Sequence, residues 1–389
     1  MNADVPLKLL GGLTVRQFLS EYWQRKPLLV RQAFTDFESP ISPGELAGLS
    51  LEEEVESRLI IEHGERPWEL RRGPFEESLF SQLPERDWTL LVQAVDQFVP
   101  EVAELLEPFR FLPSWRIDDL MISFAAPGGG VGPHYDNYDV FLLQAHGHRR
   151  WRIGQFCDSD SPLLEHPDLR ILADFQQTDE WVLEPGDMLY LPPRLAHFGT
   201  AEDDCMTFSV GFRAPSTAEV LTHYTDFIAQ FLSDEERYAD AGLAPSEDPS
   251  RIDEDAVRRL RALITEQLSD DRLLLTWFGQ FMTEPKYPEL VAGDEQLEPE
   301  DFLQALDEGA VLLRNSAARL AWAEVDLGVL LFASGQSRLL PAELKPLLQL
   351  ICNAEALHQD NLSPWLEDEQ ARTLLFELVK QGSLEFDHD

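Results

Sequence analysis

The sequence predicts an α+β chain: a double-sheet jelly roll, a helical region after it, and a small winged-helix-like unit at the end. Three observations carry this. Between Ile117 and Phe212, short β-type runs recur at close spacing between Gly and Pro turns, the texture of a sandwich or barrel. Beyond Pro215 the apolar residues take up helical periodicity. In the last hundred or so residues, helices and two short strand-like runs follow one another in winged-helix order. The expected domains are 1–215, 216–285 and 286–389.

The elements follow in order. Residues 13–34 read as an amphipathic helix ending at Lys26-Pro27 and then a short apolar strand, because proline disfavours a helical residue before it. Residues 41–64 read as a capped helix and a strand at Ser57–Glu62, and 87–109 as helical with a break at Pro100. DLMISFA, DVFLLQA, HRRWRIG, EWVLEPGDMLYLP and MTFSVGF are the expected strands, and their spacing suits a jelly roll of the cupin type. Two long amphipathic segments, 216–238 and 253–283, are joined by a polar loop at 239–251. A second composition break at 284–301 leads to a helix at FLQALDEG and strand-like AVLLRN and VLLFAS. Two helices separated by Asn361-Leu362-Ser363-Pro364 and a final SLEFD complete the tail. The helical pair carries more apolar side chains (Leu260, Leu263, Ile264, Trp277, Phe278) than a barrel edge needs. Surplus apolar helix surface marks a subunit contact, so a homodimer is expected.

Composition narrows the function. With 389 residues, 44% of them hydrophobic, the chain can bury a sizeable core. Three widely spaced cysteines (157, 205, 352) form no ligand pattern and fit a reducing compartment. No basic, apolar leader and no stretch of ~18 apolar residues is present, so a soluble cytoplasmic protein is expected. The net charge of −40, from 71 acidic and 31 basic side chains, repels nucleic acid and anionic membranes and attracts basic partners. The acid-rich tail therefore points to protein contact, with no direct nucleic acid binding.

The chemistry centres on PHYDNYDVF (133–141) and GDMLYLPPRLAH (186–197). In an extended segment, residues i and i+2 share a face, so His134 and Asp136 present an imidazole and a carboxylate side by side. His197, sixty-one residues beyond Asp136, can supply a third ligand from another strand. Two histidines and a carboxylate leave open positions on an octahedral ion and suit a non-haem Fe(II) oxygenase. In HRRWRIG (148–154), Arg149, Trp151 and Ile153 share the apolar face, which turns Arg149 into the barrel. A buried guanidinium needs an anion. In an iron oxygenase that anion is the distal carboxylate of 2-oxoglutarate; the alternative is a local Asp or Glu. Ser123 and Ser209, on strands with small side chains facing one way, are candidates for lining the co-substrate cavity or for plain packing. The glycines of 126–134 lack the Lys-Ser/Thr of a phosphate loop and read as a flexible turn feeding the metal segment. His146 and His148 are expected at a solvated hairpin turn, and no role is assigned to His63, His166, His223, His358 or His388.

These motifs resemble a known family. HYD at 134–136, Arg149 after GHRRWR, and GDMLYLPPRLAH ending at His197 resemble the JmjC branch of the 2-oxoglutarate oxygenases. FLSEYWQRKPLLVR and RIDDLMISFAAPGGGVGPHYDNYDVFLLQ are similar to the bacterial ribosomal oxygenases, arginine hydroxylases acting on the large-subunit ribosomal protein L-sixteen. The likeness implies a double-stranded β-helix (cupin/JmjC jelly roll), a helical dimerisation region and a C-terminal winged-helix-like domain. It also implies Fe(II) on His134, Asp136 and His197, with 2-oxoglutarate at Arg149 and O2 as oxidant. Most JmjC enzymes have lysine at that anchor, and arginine marks the bacterial subgroup. The implied substrate is a basic ribosomal protein; its cationic side chain needs carboxylates near the iron, and Asp118 and Asp119 of WRIDDL are candidates for these or else solvated turn acids.

Rival readings differ in what they leave unexplained. A cupin isomerase or dioxygenase without 2-oxoglutarate commonly uses HxH with a further Glu and His, which this chain lacks. A non-catalytic acidic scaffold does not account for the triad together with Arg149. A histidyl hydroxylase or lysyl demethylase shares the site and differs only in the side chain it receives.

Overall fold

In the first unit, β1 (Leu28–Val30), β2 (Ser57–His63), β3 (Pro67–Arg72), β4 (Trp88–Val92), β5 (Ile117–Ala125) and β6 (Val140–His146) precede β7 (Arg149–Phe156). They are followed by β8 (Asp179–Leu183), β9 (Met188–Leu191), β10 (Leu195–Ala201) and β11 (Cys205–Phe212). A large sheet runs β1-β9-β6-β11-β5-β4-β2-β3 and a small one β10-β7-β8. The structure, a computed structural model, describes residues 2–64, 67–294, 296–354 and 356–387. Contacts divide the chain into two units, one ending at Ala214 and the other beginning at Pro215.

The alternation along β11 decides where the core lies. Phe208, Val210 and Phe212 join the larger core on the outer face of the large sheet, where the amino-terminal helix Val15–Glu21 brings Phe18 to 5.1 Å from the Tyr190 ring. Phe141, fully buried, lies 4.9 Å from Tyr190 and 5.0 Å from Phe109 between ring centroids. Emptying that position by Phe141→Ala would cost about 3–5 kcal/mol. The opposite face of the same strands looks into the barrel. There Val140, Leu142 and Leu189 of the large sheet meet Trp151, Ile153 and Leu183 of the small one.

Several expectations give way here. The first helix ends at Glu21, not Lys26, and a capping box of Thr14 with Gln17 starts it. The segment 87–109 is not a helix. Trp88–Val92 is β4, paired with both β2 and β5, and short helical turns follow. Its Trp-Thr-Leu-Leu-Val run has strong β preference, and the two neighbouring strands supply partners that local periodicity cannot reveal. β3 was not expected either, and the strand that carries His197, β10, runs on to Ala201. The glycine run is no flexible turn: Gly128 N–H donates to Ala201 O at 2.8 Å, and Ala201 N–H to Gly129 O at 3.0 Å. Side chains there would strike backbone, since a Cβ on Gly130 would lie 2.5 Å from Gly199 O.

In the second unit, residues 216–238 hold a helix only at Thr217–Ala229, and 253–283 form two helices, Glu254–Gln267 and Asp271–Thr283. Asp270 divides them by capping the second through Arg272 N–H and Leu273 N–H. Trp277 packs against Tyr224 of the first helix at 5.2 Å. The same helix lies on a sheet of β13 (Leu320–Val325), β14 (Gly328–Ala333) and β15 (Gln336–Leu340), which follow β12 (Leu312–Arg314). Gly279 permits that approach, because a Cβ there would collide with the Phe332 ring. β16 (Ala356–Leu357) and β17 (Leu384–Phe386) flank β12. Pro364 does not separate two helices but sits inside Gln359–Leu366. Ser363 Oγ donates to Asp360 O at 3.3 Å, the carbonyl that a proline at 364 leaves without its helical N–H. Asp368 caps the next helix, Glu369–Lys380.

Candidate metal centre

His134 and Asp136 lie in the segment between β5 and β6, and only His134 is strand-like, through a single antiparallel bridge to His197 of β10. The bridge has both hydrogen bonds, His134 N–H to His197 O at 3.0 Å and the reverse at 2.9 Å. It is this pairing, rather than a continuous strand, that sets the two imidazoles 4.2 Å apart between centroids. Asp136 Oδ2 lies 3.6 Å from His197 Nε2. One ligand atom from each of the three residues falls within 4.8 Å of the others, and among the described residues no other group of three does so. Asp136 is further fixed through its carbonyl, which accepts from Arg194 N–H at 2.6 Å.

Both rings are already oriented. His134 Nδ1 is 2.9 Å from Gly132 O and His197 Nδ1 is 3.0 Å from Leu195 O. A carbonyl accepts only, so each Nδ1 carries the proton and each Nε2 is left with its lone pair for a metal. Burial, then the charge of His134, pulls His197 down to about 4, with Asp136 opposing. It is therefore a neutral ligand at physiological pH. The donor set of two nitrogens and a carboxylate oxygen fits a divalent first-row ion with open positions.

Arg149 points into the barrel, 2% exposed. Nη2 makes one long bond to Gly199 O at 3.4 Å, while Nε and Nη1 have no acceptor among the described residues. Burial pulls the guanidinium below its ordinary value, offset in part by the Cys205 sulfur. No local carboxylate pairs with it among the described ion pairs, which removes the alternative partner considered from sequence. A guanidinium held this way fits an incoming anion such as a carboxylate.

Ser123 and Ser209 are buried on the inner face of the large sheet, Ser123 opposite Thr207 and Ser209 opposite Met121. Ser123 Oγ donates to Thr207 O at 3.4 Å, and Thr207 Oγ1 to Gln144 Oε1 at 3.1 Å. Asp118 and Asp119 part company. Asp119 shares the inner parity of Met121 and Ser123, is 3% exposed and accepts from Gln93 Nε2 at 2.7 Å; Asp118 faces the other way. Tyr138 was missed from sequence. The charge of Asp136, then burial, pushes its phenol up. An aromatic two residues past an HxD pair was the available signal. His148 instead pairs with Asp203 at 2.7 Å on the surface, and His388 lies outside the described residues.

Comparison with known proteins agrees with this architecture. Residues 104–220 match the JmjC domain model and residues 266–385 the ROXA-like winged helix model. The chain is 38% identical over 366 residues to the ribosomal protein uL16 3-hydroxylase of Escherichia coli, covering 94% of this chain and 95% of that one. It is 34% identical over 350 residues to a probable ribosomal oxygenase of Haemophilus influenzae, covering 86% and 84%. The structure of YcfD, a ribosomal oxygenase from Escherichia coli, in complex with cobalt and 2-oxoglutarate is similar with a TM-score of 0.85 at 37% identity, over 96% of this chain and 98% of that one. Fold, motif and similarity along nearly the whole length lead to one conclusion: the chain belongs to the JmjC-domain ribosomal oxygenases.

Proposed function

We propose that this protein is an Fe(II)- and 2-oxoglutarate-dependent oxygenase that hydroxylates an arginine side chain of the large-subunit ribosomal protein uL16. The observation that carries the reading is a convergent His-Asp-His cluster facing the same barrel as a buried guanidinium with free donors. His134 and His197 would hold the metal through Nε2 and Asp136 through a carboxylate oxygen. Arg149 would grip the distal carboxylate of the keto acid, with Ser123 and Ser209 lining the cavity. When bound, metal, keto acid and dioxygen supply the oxidising power, yielding succinate and carbon dioxide as oxygen enters a C–H bond.

The chain's own residues then position the substrate. Asp119 is the inward carboxylate suited to a cationic side chain. A net charge of −40 draws in a basic polypeptide and disfavours direct nucleic acid binding. No helix among the described residues is long and apolar enough to cross a membrane, and action in the cytoplasm follows from a ribosomal substrate. Helix Glu254–Gln267 buries none of its residues, and its Val257, Leu260 and Ile264 stripe is about half exposed. That stripe is the proposed homodimer contact, within a helical region 216–285 set between the catalytic part (1–215) and the winged-helix-like part (286–389).

The deciding experiment incubates the protein with Fe(II), 2-oxoglutarate and full-length uL16, followed by intact-mass and fragment analysis. One added oxygen on arginine is expected. Loss of a methyl group from lysine, oxygen on histidine, or no change would overturn the assignment. Asp119→Asn should raise KM for the substrate with 2-oxoglutarate binding unchanged, and raising salt should weaken the substrate, since exposed charges are screened within ~8–10 Å.

A further inference from the structure

Three N–H donors are buried in the barrel without an acceptor among the described residues: Nε and Nη1 of Arg149, and the indole Nε1 of Trp151. The anchor role proposed above employs the first two and leaves the third unexplained. Trp151 is 5% exposed, so water does not serve it from outside. Buried polar groups nearly always find a partner, and one that lacks it in a functional cavity points to a missing ligand.

The register of the small sheet locates this donor. On β10 and β7, His197 stands opposite Ile153, Gly199 opposite Trp151, and Ala201 opposite Arg149. Trp151 thus occupies the row between the metal ligand and the anchor. Its ring centroid is 5.9 Å from that of His197, and the Arg149 guanidinium carbon is 5.1 Å over its ring. Gly199 keeps this arrangement possible: a Cβ there would lie 2.7 Å from both Arg149 Nε and the Trp151 ring. A carboxylate has about four lone-pair sites on its two oxygens, enough for a guanidinium fork and an indole N–H together.

We propose that Trp151 Nε1 is a third donor to the distal carboxylate of the 2-oxo acid, acting with Arg149 to favour a dicarboxylate over a 2-oxo monocarboxylate. This rests on the functional reading given above. It extends that reading by making co-substrate selection a property of two side chains on one face of β7.

The test is calorimetric titration of the Co(II)-loaded full-length protein, without oxygen, using 2-oxoglutarate and 2-oxopentanoate, which lacks the distal carboxylate. Trp151→Phe keeps the ring and removes only the donor. It should weaken 2-oxoglutarate about tenfold, the usual scale for a hydrogen bond to a charged group, and change 2-oxopentanoate by less than about twofold. Equal affinity of both proteins for 2-oxoglutarate, or equal weakening of both ligands, overturns the proposal. If the unaltered protein binds no 2-oxoglutarate at all, it is the functional reading that fails. A second measurement needs no variant: with the indole nitrogens labelled, one of the nine tryptophan signals should move with 2-oxoglutarate and not with 2-oxopentanoate. Signals that all stay in place would also refute it.

Discussion

Arg149→Met is expected to make the ligand-free protein more stable while abolishing its response to 2-oxoglutarate. The guanidinium is 2% exposed with two of its nitrogens unpaired, so the folded ligand-free state bears the cost of a buried, poorly solvated charge. Each unsatisfied donor costs about 1–3 kcal/mol. Methionine follows the same path as the aliphatic stem and needs no partner. Against the gain stands the loss of the cation–π contact over Trp151, about 0.5–2 kcal/mol. The net is about 2 kcal/mol in favour of the variant, or roughly 4–8 °C in melting temperature for a unit of this size. The assay is thermal unfolding of both proteins in Mn(II), with and without saturating 2-oxoglutarate. The unaltered protein should gain about 2.7 kcal/mol at a hundredfold excess over Kd, and the variant nothing. A variant less stable than its parent without ligand, or still stabilised by the keto acid, would refute the view that Arg149 is held ready for an anion.

Three further outcomes are expected. Asp136→Ala should lose the visible absorption of bound Co(II) and retain the circular dichroism of the parent; undiminished Co(II) binding would remove Asp136 from the ligand set. The metal-free protein should lose about 3 kcal/mol of stability as pH falls from 6.5 to 4. His197 takes up a proton below 6.5 when unfolded but resists until about 4 when folded, so stability is full above 6.5, and denaturant titrations of His197→Gln should show a flatter profile. Light scattering should give twice the 44.3 kDa chain mass, and Leu260→Asp with Ile264→Asp should return it to the monomer, whereas a monomeric parent would exclude the contact.

Much of the site was legible in the chain because it rests on short-range geometry. The HxD spacing puts His134 and Asp136 together, and strand parity turned Arg149 inward. Trp151 was visible on that same inward face, yet nothing local says that its N–H lacks an acceptor.

Other features depended on residues far apart in sequence. Trp88–Val92 could satisfy helix or strand locally, and the choice fell to β2 and β5, which pair with both of its edges. The bridge that brings His134 to His197 arises from pairing between segments sixty-three residues apart, whereas the Nδ1 contacts that free both Nε2 atoms reach carbonyls only two residues away. Periodicity and motif spacing determined which residues were suited to bind a metal and an anion, since those are properties of neighbours along a chain. Which donors were left unsatisfied, and toward what they face, was decided only by tertiary structure, because a hydrogen bond is counted as made or missing only once every possible partner has been brought near or kept away.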